Sequence, residues 1–316
     1  MMFRRLGLAV IVALGTFAAS AGATEPILLR YKFAKGDQLV YRTTHEEKQL
    51  QTIGDQKLDS TVSQEVVTSQ VVDKIDGDGN AVIKTMTVQR KRKTDGQGGK
   101  FEFDSKSTER DTGSEIGSRV TPLLERLTGS EYQFKMTPRG QVTEVMGFAE
   151  LIADLVKDNL GAALQAGILA DDDGQKQSEQ EHLVVFSDKP VSPGEDWEQP
   201  IDADLKGIGK LKGKVTYTYE GDDKVGQRQT VRIGVKTDLS IDLNLDALGI
   251  KLTGTMTTTN SSGTVQFDPA AGRIVSSKNV TGMTGQLNLE VGGMMLPLAN
   301  TEEHTDTLQM LDKVPE

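Results

Sequence analysis

The sequence predicts a mainly β (α+β) protein in which curved antiparallel sheets form two related half-barrel-like units. Three observations lead to this fold class. Apolar and polar residues alternate along many segments, Gly, Asn, Asp and Pro separate these segments, and only two segments show helical spacing. The alternation predicts strands with one apolar and one polar face.

The clearest alternation runs from residue 231 to residue 245, with apolar residues at most odd positions and polar or charged residues between them. A single strand of this length would span roughly 50 Å, which is longer than most strands. The segment therefore either curves strongly or turns near Lys236-Thr237-Asp238. A long curved strand is typical of a strongly bent sheet or of part of a barrel.

Turn residues between alternating segments predict hairpins, because Gly, Asn, Asp and Pro supply the backbone conformations that tight turns need. The predicted strand pairs are 28–33 with 39–44 around Lys35-Gly36-Asp37, 62–75 with 81–88 around residues 76–80, and 265–267 with 273–275 around residues 268–272.

Helical spacing predicts one main amphipathic helix at about 147–169 and a short helix at about 121–128. In the short helix, Thr121 is suited to the N-cap and Pro122 to the first helical position. The predicted buried side chains of the short helix are Val120, Leu123, Leu124 and Leu127, and the apolar stripe of the main helix contains Phe148, Leu151, Ile152, Leu155, Val156 and Leu160.

The chain divides into a signal peptide at 1–23, an N-terminal β-rich unit with the helices at 24–170, and a C-terminal β-rich unit at 182–316. The polar, acidic stretch 171–181 is interpreted as a linker. Each unit begins with a turn, continues with a hairpin and ends with a segment that contains Phe, Pro and Gly. Because this order occurs both before and after the linker, it suggests a duplication.

Residues 1–23 have the three parts of a cleavable export signal. Arg4 and Arg5 precede an apolar run at 6–18, and Ala21-Gly22-Ala23 supplies the small residues that a signal peptidase needs. A retained membrane anchor is the alternative, but the apolar run is shorter than the roughly 20 residues of a membrane span. We therefore expect a periplasmic or extracellular protein without an integral membrane span after cleavage.

Composition excludes several classes of function. Removing residues 1–23, which hold two arginines and no acid, changes the net charge from −10 to −12, and so acidic a chain is repelled by nucleic acid. The chain has no cysteine, which excludes thiol catalysis and thiolate metal sites. The basic run Arg90-Lys91-Arg92-Lys93 is interpreted as a solvated strand end.

Metal and catalytic motifs are weak, and no cofactor is expected. Asp76, Asp78 and Asn80 follow the spacing that begins a calcium loop, but Ala81 and Thr87 stand where an EF-hand needs Gly and Glu, so a plain hairpin turn is the simpler interpretation. The three histidines, His45, His182 and His304, lie far apart and form no paired zinc motif.

The main helix is the candidate binding element. If it lies loosely across a concave sheet, an apolar ligand can occupy the space between them, lined by Leu151, Ile152, Leu155 and Val156. The alternative is that the helix only fills the core, as most amphipathic helices do.

Four groups of residues resemble a family of uncharacterised exported bacterial proteins that is defined as a domain of unknown function. The resemblance implies export and a β-rich fold, and it provides no catalytic residues to transfer. The arrangement is also similar, at the level of the fold, to lipoprotein-carrier-like half-barrels. The residues that carry the resemblance are Leu29-Arg30-Tyr31-Lys32-Phe33 with Lys35-Gly36-Asp37, Thr137-Pro138-Arg139-Gly140-Gln141-Val142, Lys189-Pro190-Val191-Ser192-Pro193-Gly194-Glu195-Asp196-Trp197, and Gly263-Thr264-Val265-Gln266-Phe267-Asp268 with Gly272-Arg273-Ile274.

The sequence favours a non-catalytic binding or envelope-associated protein, with an apolar small molecule or an envelope protein as its partner. Two alternatives stay open. One is a carboxylate-based hydrolase, which would show clustered acids of raised pKa in a cleft. The other is a calcium-dependent surface module centred on Asp76, Asp78 and Asn80.

Overall fold

The computed structural model describes residues 25–96, 99–156, 172–205, 207–247 and 250–315. The predicted signal peptide at 1–23 lies outside these residues, so export stays a prediction. Among the described helices, none is long and apolar enough to cross a bilayer.

Within the described residues, twelve strands and three helices are present, and the prediction of a mainly β protein with few helices is confirmed. The strands are β1 (Gln38–Ile53), β2 (Gln56–Ile75), β3 (Ala81–Gly96), β4 (Gly99–Asp104), β5 (Glu131–Met136), β6 (Val142–Met146), β7 (Asp196–Leu205), β8 (Gly209–Val225), β9 (Arg228–Ala247), β10 (Ile250–Asp268), β11 (Arg273–Val291) and β12 (Met294–Leu311). The helices are α1 (Glu115–Leu127), α2 (Phe148–Val156) and α3 (Asp172–Glu181).

All twelve strands belong to one antiparallel sheet that is not closed. Its order is β6-β5-β3-β2-β1-β12-β11-β10-β9-β8-β7, with β4 pairing with the second half of β3. The pairing of β1 with β12 joins strands from both predicted units. The strands therefore form one sheet instead of two, and the division at 24–170 and 182–316 stays a prediction.

The long alternating segment forms one strand, β9, and does not turn near Lys236. The pairing of β9 with β10 is instead irregular between Thr257 and Gly263, which lie opposite Ser240 and Val235. The register therefore changes in the part of β9 where a turn was the alternative prediction. The hairpins around residues 76–80 and 268–272 are confirmed by β2–β3 and β10–β11. The predicted strand at 28–33 is wrong, because that segment makes only an isolated bridge through Ile27 and then crosses to the turns at Pro138 and Gly272.

The short helix begins earlier than its predicted start at Thr121. Ser114 is the N-cap and accepts a hydrogen bond from the Gly117 amide at 2.9 Å, while Thr121 Oγ1 donates to the Asp111 carbonyl. Pro122 consequently lies inside α1. The four predicted buried residues of this helix are confirmed as buried.

The stretch 171–181 is not an extended linker, because Asp172–Glu181 forms α3. The polar side chains of α3 bond to the sheet: Gln180 accepts from the Val142 amide at 2.9 Å and donates to the Gly140 carbonyl at 3.1 Å. The helix packs against β6 and contacts β7, the two edge strands of the sheet. Of the predicted helix at 147–169, the structure describes α2 up to Val156, and residues 157–171 lie outside the described residues.

Two apolar clusters lie on the inner face of the sheet, the face that carries Tyr41. The main core packs this face against α1, α2, the segment 27–33 and the segment 183–191. A smaller cluster of Met256, Met283, Leu287 and Leu298 forms near the far ends of the long strands. Polar residues of β1 and β12 separate the two clusters.

Candidate functional site

A cavity of about 300 Å³ lies between the inner face and the helices. Its floor is made by β1, β2, β3 and β5, and its cover by the end of α1, by α2 and by α3. The volume is at the lower end of the range for small-molecule pockets. The apolar and aromatic side chains of the wall are Tyr31, Phe33, Leu39, Tyr41, Val66, Val72, Ile83, Leu127, Tyr132, Phe134, Met136, Phe148, Leu151, Leu183, Ile274 and Leu308.

Strand alternation places the floor residues, and one β-bulge changes which of them face the cavity. Thr68 lies opposite Thr87, but the next pair is Val67 with Gln89, so β3 carries one extra residue there. Beyond the bulge, even-numbered residues face inward, and Arg90 lies opposite Val66 in the cavity wall.

Arg90 is the unusual group of this cavity. Its Nε atom is buried and makes no hydrogen bond, and no described carboxylate forms an ion pair with its guanidinium. Burial lowers the pKa of Arg90 to about 10; the neighbouring Tyr132 opposes this shift, and the charge of Arg92 adds to it. The group remains a cation at neutral pH. The cavity therefore contains a largely desolvated positive charge without a protein counter-ion among the described residues.

A polar network closes the cavity on the side of α3. The Tyr132 hydroxyl donates to Glu179, and Gln175 Nε2 donates to the Tyr132 oxygen at 2.7 Å and to Glu179 Oε1 at 3.1 Å. Burial raises the pKa of Glu179 above its ordinary value. Because Gln175 and Glu179 are four residues apart, they share one face of α3 and together attach it to β5.

We expect Tyr132→Phe to lower the free energy of unfolding by about 1–3 kcal/mol, because Glu179 and Gln175 would lose a buried partner. The matched control is Tyr219→Phe, whose hydroxyl donates to Asp222 over a long 3.4 Å. Urea denaturation of both variants checks the prediction. Equal losses for the two variants would contradict the role given to the network.

Glu181, the last residue of α3, and His182, which follows it, also line the cavity. Burial and, to a smaller extent, the charge of Asp306 raise the pKa of Glu181 to about 7, against the opposing effects of His45 and His304. Burial lowers the pKa of His182. The end of α3 thus lies within electrostatic reach of β1 and β12.

Of the predicted ligand-binding residues, Leu151 lines the cavity and packs against the main core. Ile152, Leu155 and Val156 belong to α2, but their side chains lie outside the described residues. Whether these three contact a ligand stays a prediction. The structure adds Arg90, Tyr132 and Glu179, which sequence reasoning missed.

The sequence contains only an indirect signal for Arg90. The interpretation of the basic run 90–93 as a solvated strand end is wrong for two of its members: Arg90 lines the cavity, and Arg92 is buried and donates to Gln64 at 3.1 Å. Strict alternation would have placed Gln89 inward instead. The bulge that reverses this is a tertiary feature of the β2–β3 pair.

Asp76, Asp78 and Asn80 lie in the β2–β3 turn. Asp76 Oδ1 accepts from the amides of Asp78 and Asn80 at 3.0 Å, and Asp76 Oδ2 accepts from Asn80 Nδ2. Lys135 Nζ lies 2.8 Å from the same carboxylate and holds the pKa of Asp76 well below its usual range. These are the contacts of a hairpin turn, and Lys135 forms an ion pair with the Asp76 carboxylate that a calcium ion would need as a ligand.

Comparisons with known proteins give one family and distant structural likenesses. The chain is similar to a lipovitellin structure concerned with lipid–protein interactions, with 12% identity and a TM-score of 0.42, covering 90% of this chain and 26% of that chain. It spans about a quarter of that protein's length. It is also similar to the β-domain of the Bordetella autotransporter BrkA, with 7% identity and a TM-score of 0.21, covering 86% of this chain and 98% of that one. At these TM-scores neither likeness supports an argument about function.

No curated protein matches the chain. A family model described as a family of unknown function, DUF6263, matches residues 78–274, which is more than half of the chain. The match begins in the β2–β3 turn and ends in β11, so it includes Arg90, Tyr132 and the helices that cover the cavity. The protein belongs to the DUF6263 family.

Proposed function

We propose that the protein is an exported, non-catalytic binding protein that holds a small amphipathic molecule with one anionic group in the helix-covered cavity. The apolar part of the ligand packs against the aromatic and aliphatic wall. Its anionic group pairs with Arg90. The observation that carries the proposal is the Arg90 guanidinium, whose buried Nε makes no hydrogen bond and which has no ion-pair partner among the described residues, beside the aromatic and aliphatic side chains of the cavity.

The charge of Arg90 argues for an anion because an uncompensated buried ion is costly. The effective penalty for taking a charge out of water is several kcal/mol, and a partner in good geometry offsets it. A planar guanidinium matches a carboxylate or phosphate with two parallel hydrogen bonds. A ligand that supplies such a group would satisfy Arg90 without any change in the protein fold.

The lining argues for an apolar body on the same ligand. Phe134 of β5 and both Phe148 and Leu151 of α2 line the cavity, and all three belong to or pack against the main core. Transferring apolar surface of a ligand into such a site is favourable by about 25 cal/mol per Å². A fully polar anion would gain nothing from these apolar side chains, so an amphipathic molecule uses more of the lining.

Native mass spectrometry of the mature protein from its own host, combined with lipid extraction of the same sample, tests the proposal. We expect a co-purifying amphipathic acid at one molecule per chain. A clean ligand-free mass would contradict resident binding and would favour a protein partner of the envelope. Sequencing the N-terminus of the same sample tests cleavage after Ala23.

One observation favours a second candidate function, a carboxylate-based hydrolase. Glu179 and Glu181 both line the cavity, and burial raises the pKa of each. However, residues two apart on a helix do not face each other, and Glu179 is engaged by Tyr132 and Gln175. Turnover of chromogenic esters or glycosides that disappears in Glu181→Gln would favour the hydrolase, and its absence would favour binding.

A further inference from the structure

The fold brings together histidines that the sequence keeps far apart. His45 lies on β1 and His304 on β12, and the register places Glu47 directly opposite His304 and His45 directly opposite Asp306. The two imidazole rings have centroids 5.6 Å apart. This group lies on the inner face between the cavity and the smaller apolar cluster, and the proposed ligand does not use it.

His45, Glu47 and His304 each offer one ligand atom, and these atoms lie within 4.8 Å of one another. A metal ion about 2.0–2.2 Å from each atom needs the three atoms within roughly 4 Å. The upper limit of 4.8 Å exceeds this separation by less than 1 Å, so binding requires the three side chains to move closer together. All three side chains are partly exposed, and Glu47 also lines an open groove of about 620 Å³, so an ion has a path to the group.

Neighbouring carboxylates orient both imidazoles. Asp306 Oδ1 lies 2.7 Å from His45 Nδ1, which leaves Nε2 of His45 directed toward Glu47 Oε2 at 3.7 Å. Glu302 Oε2 lies 3.2 Å from His304 Nε2. A carboxylate that holds one ring nitrogen and leaves the other free is the usual second layer around a histidine-bound metal.

Glu302 is itself held in place. Its other oxygen accepts hydrogen bonds from Gln49 Nε2 at 2.8 Å and from Asn300 Nδ2 at 2.6 Å. Both donors lie on the same two strands as the histidines. The orienting carboxylate is therefore fixed before any ion binds, which reduces the side-chain entropy lost on binding.

We propose that His45, Glu47 and His304 bind a divalent first-row transition-metal ion of the Zn²⁺ type, with water in the remaining position. Two imidazoles and one carboxylate suit Zn²⁺, whereas Ca²⁺ and Mg²⁺ prefer oxygen ligands only. Asp306 and Glu302 act as positioning residues. The competing explanation is a network of protonated histidines and carboxylates that binds no ion.

Titration of the untagged, chelator-treated protein with Co²⁺ and with Zn²⁺ separates these explanations. We expect one Co²⁺ per chain with visible absorption bands, displacement of Co²⁺ by Zn²⁺, and a higher Tm with Zn²⁺. His45→Gln and His304→Gln should each weaken binding by at least about 100-fold, and Asp306→Asn by about 10–100-fold. His182→Gln is the matched control and should leave the Co²⁺ spectrum unchanged.

Circular dichroism of each metal-free variant shows whether it is folded, and Glu47→Gln serves as a second ligand variant of unchanged size. No Co²⁺ spectrum and no Zn²⁺ binding by the folded wild-type protein would overturn the proposal. Binding that persists in folded His45→Gln and His304→Gln would also overturn it. Loss of binding in folded His182→Gln would overturn the three-ligand assignment.

Discussion

Gly140→Ala should lower the free energy of unfolding by about 2–6 kcal/mol, from backbone strain and overpacking together. Gly140 has φ of +94°, a conformation that residues with a Cβ rarely adopt. A Cβ at this position would also overlap the carbonyl oxygen of Val184 and the ring of Tyr31. Chemical denaturation followed by circular dichroism measures the loss.

The position of Gly140 explains why so large an effect is expected. In the turn 137–141, the Pro138 carbonyl accepts a hydrogen bond from the Tyr31 amide, and the Gly140 carbonyl accepts one from Gln180 of α3. Arg139 accepts a hydrogen bond from the Phe186 amide at its carbonyl and donates one from its side chain to the Phe186 carbonyl. Three separate segments thus meet at one turn. A shift of that turn disturbs all of them.

Gly36→Ala is the matched control for this prediction. Gly36 has a similar φ of +86°, but no atom lies within 4 Å of a Cβ placed there. Gly36→Ala should therefore lower the free energy of unfolding only through backbone strain, by about 1–3 kcal/mol. If Gly140→Ala costs no more than Gly36→Ala, the close approach of Val184 and Tyr31 to this turn is not as described.

Phe267→Ala is the second substitution with a large expected effect, and it should cost about 3–5 kcal/mol. The Phe267 ring is fully buried at the end of β10. It packs edge-on against Phe186 at 4.7 Å and Tyr31 at 5.4 Å between ring centroids. Removing it leaves a cavity at the point where the segment 27–33 docks on the sheet.

Phe33→Ala provides the comparison for Phe267. Phe33 is only partly buried, and its ring centroid lies 6.5 Å from that of Tyr31. Phe33→Ala should lower the free energy of unfolding by less than about 2 kcal/mol, because the Phe33 ring buries less apolar surface in the folded protein than the Phe267 ring does. Equal costs for the two variants, measured as the urea midpoint at constant slope, would contradict the account of this aromatic cluster.

Periodicity in the sequence predicted the strands well because each long strand buries one face. The alternation in β9 and the turn residues at 76–80 and 268–272 are local signals, and the structure contains the corresponding strand and hairpins. The prediction was wrong where contacts with distant parts of the chain determine the secondary structure of a segment. Residues 28–33 alternate like a strand, but their amides bond to the Pro138 and Gly272 carbonyls instead of to a neighbouring strand.

Helix boundaries show the same limit. Thr121-Pro122 is a good helix start, yet Ser114 provides an earlier N-cap that the polar segment before Val120 conceals. The acidic stretch at 172–181 has no apolar stripe of its own. It forms α3 with side chains that bond to β5 and β6, which no local pattern reveals.

The candidate site could be predicted only in part. Helical spacing placed Leu151 over a sheet, and the structure places it in the cavity wall. Arg90 could not be assigned, because a single bulge in β3 determines which side of the strand it occupies. The cluster of His45 and His304 depends on the pairing of β1 with β12, which joins residues more than 250 positions apart.

The residues that carry the family resemblance also meet in space. Tyr31, Gly140, Phe267 and Gly272 come from three of those groups, and all of them lie around the segment 27–33. The structure gives them a shared role in docking the N-terminal segment over one end of the cavity.

The central claim is that Arg90 selects an anionic, mainly apolar ligand, and isothermal titration with decanoate and decanol tests it most directly. We predict that decanoate binds one to one and that decanol binds about 10–100-fold more weakly, since a hydrogen bond to a charged group contributes about 1.5–3 kcal/mol. In folded Arg90→Met the preference for decanoate should disappear, while Arg232→Met, which alters an exposed ion pair with Glu220, should retain it. Equal binding of the two ligands to the wild-type protein, or binding of neither, would contradict the account.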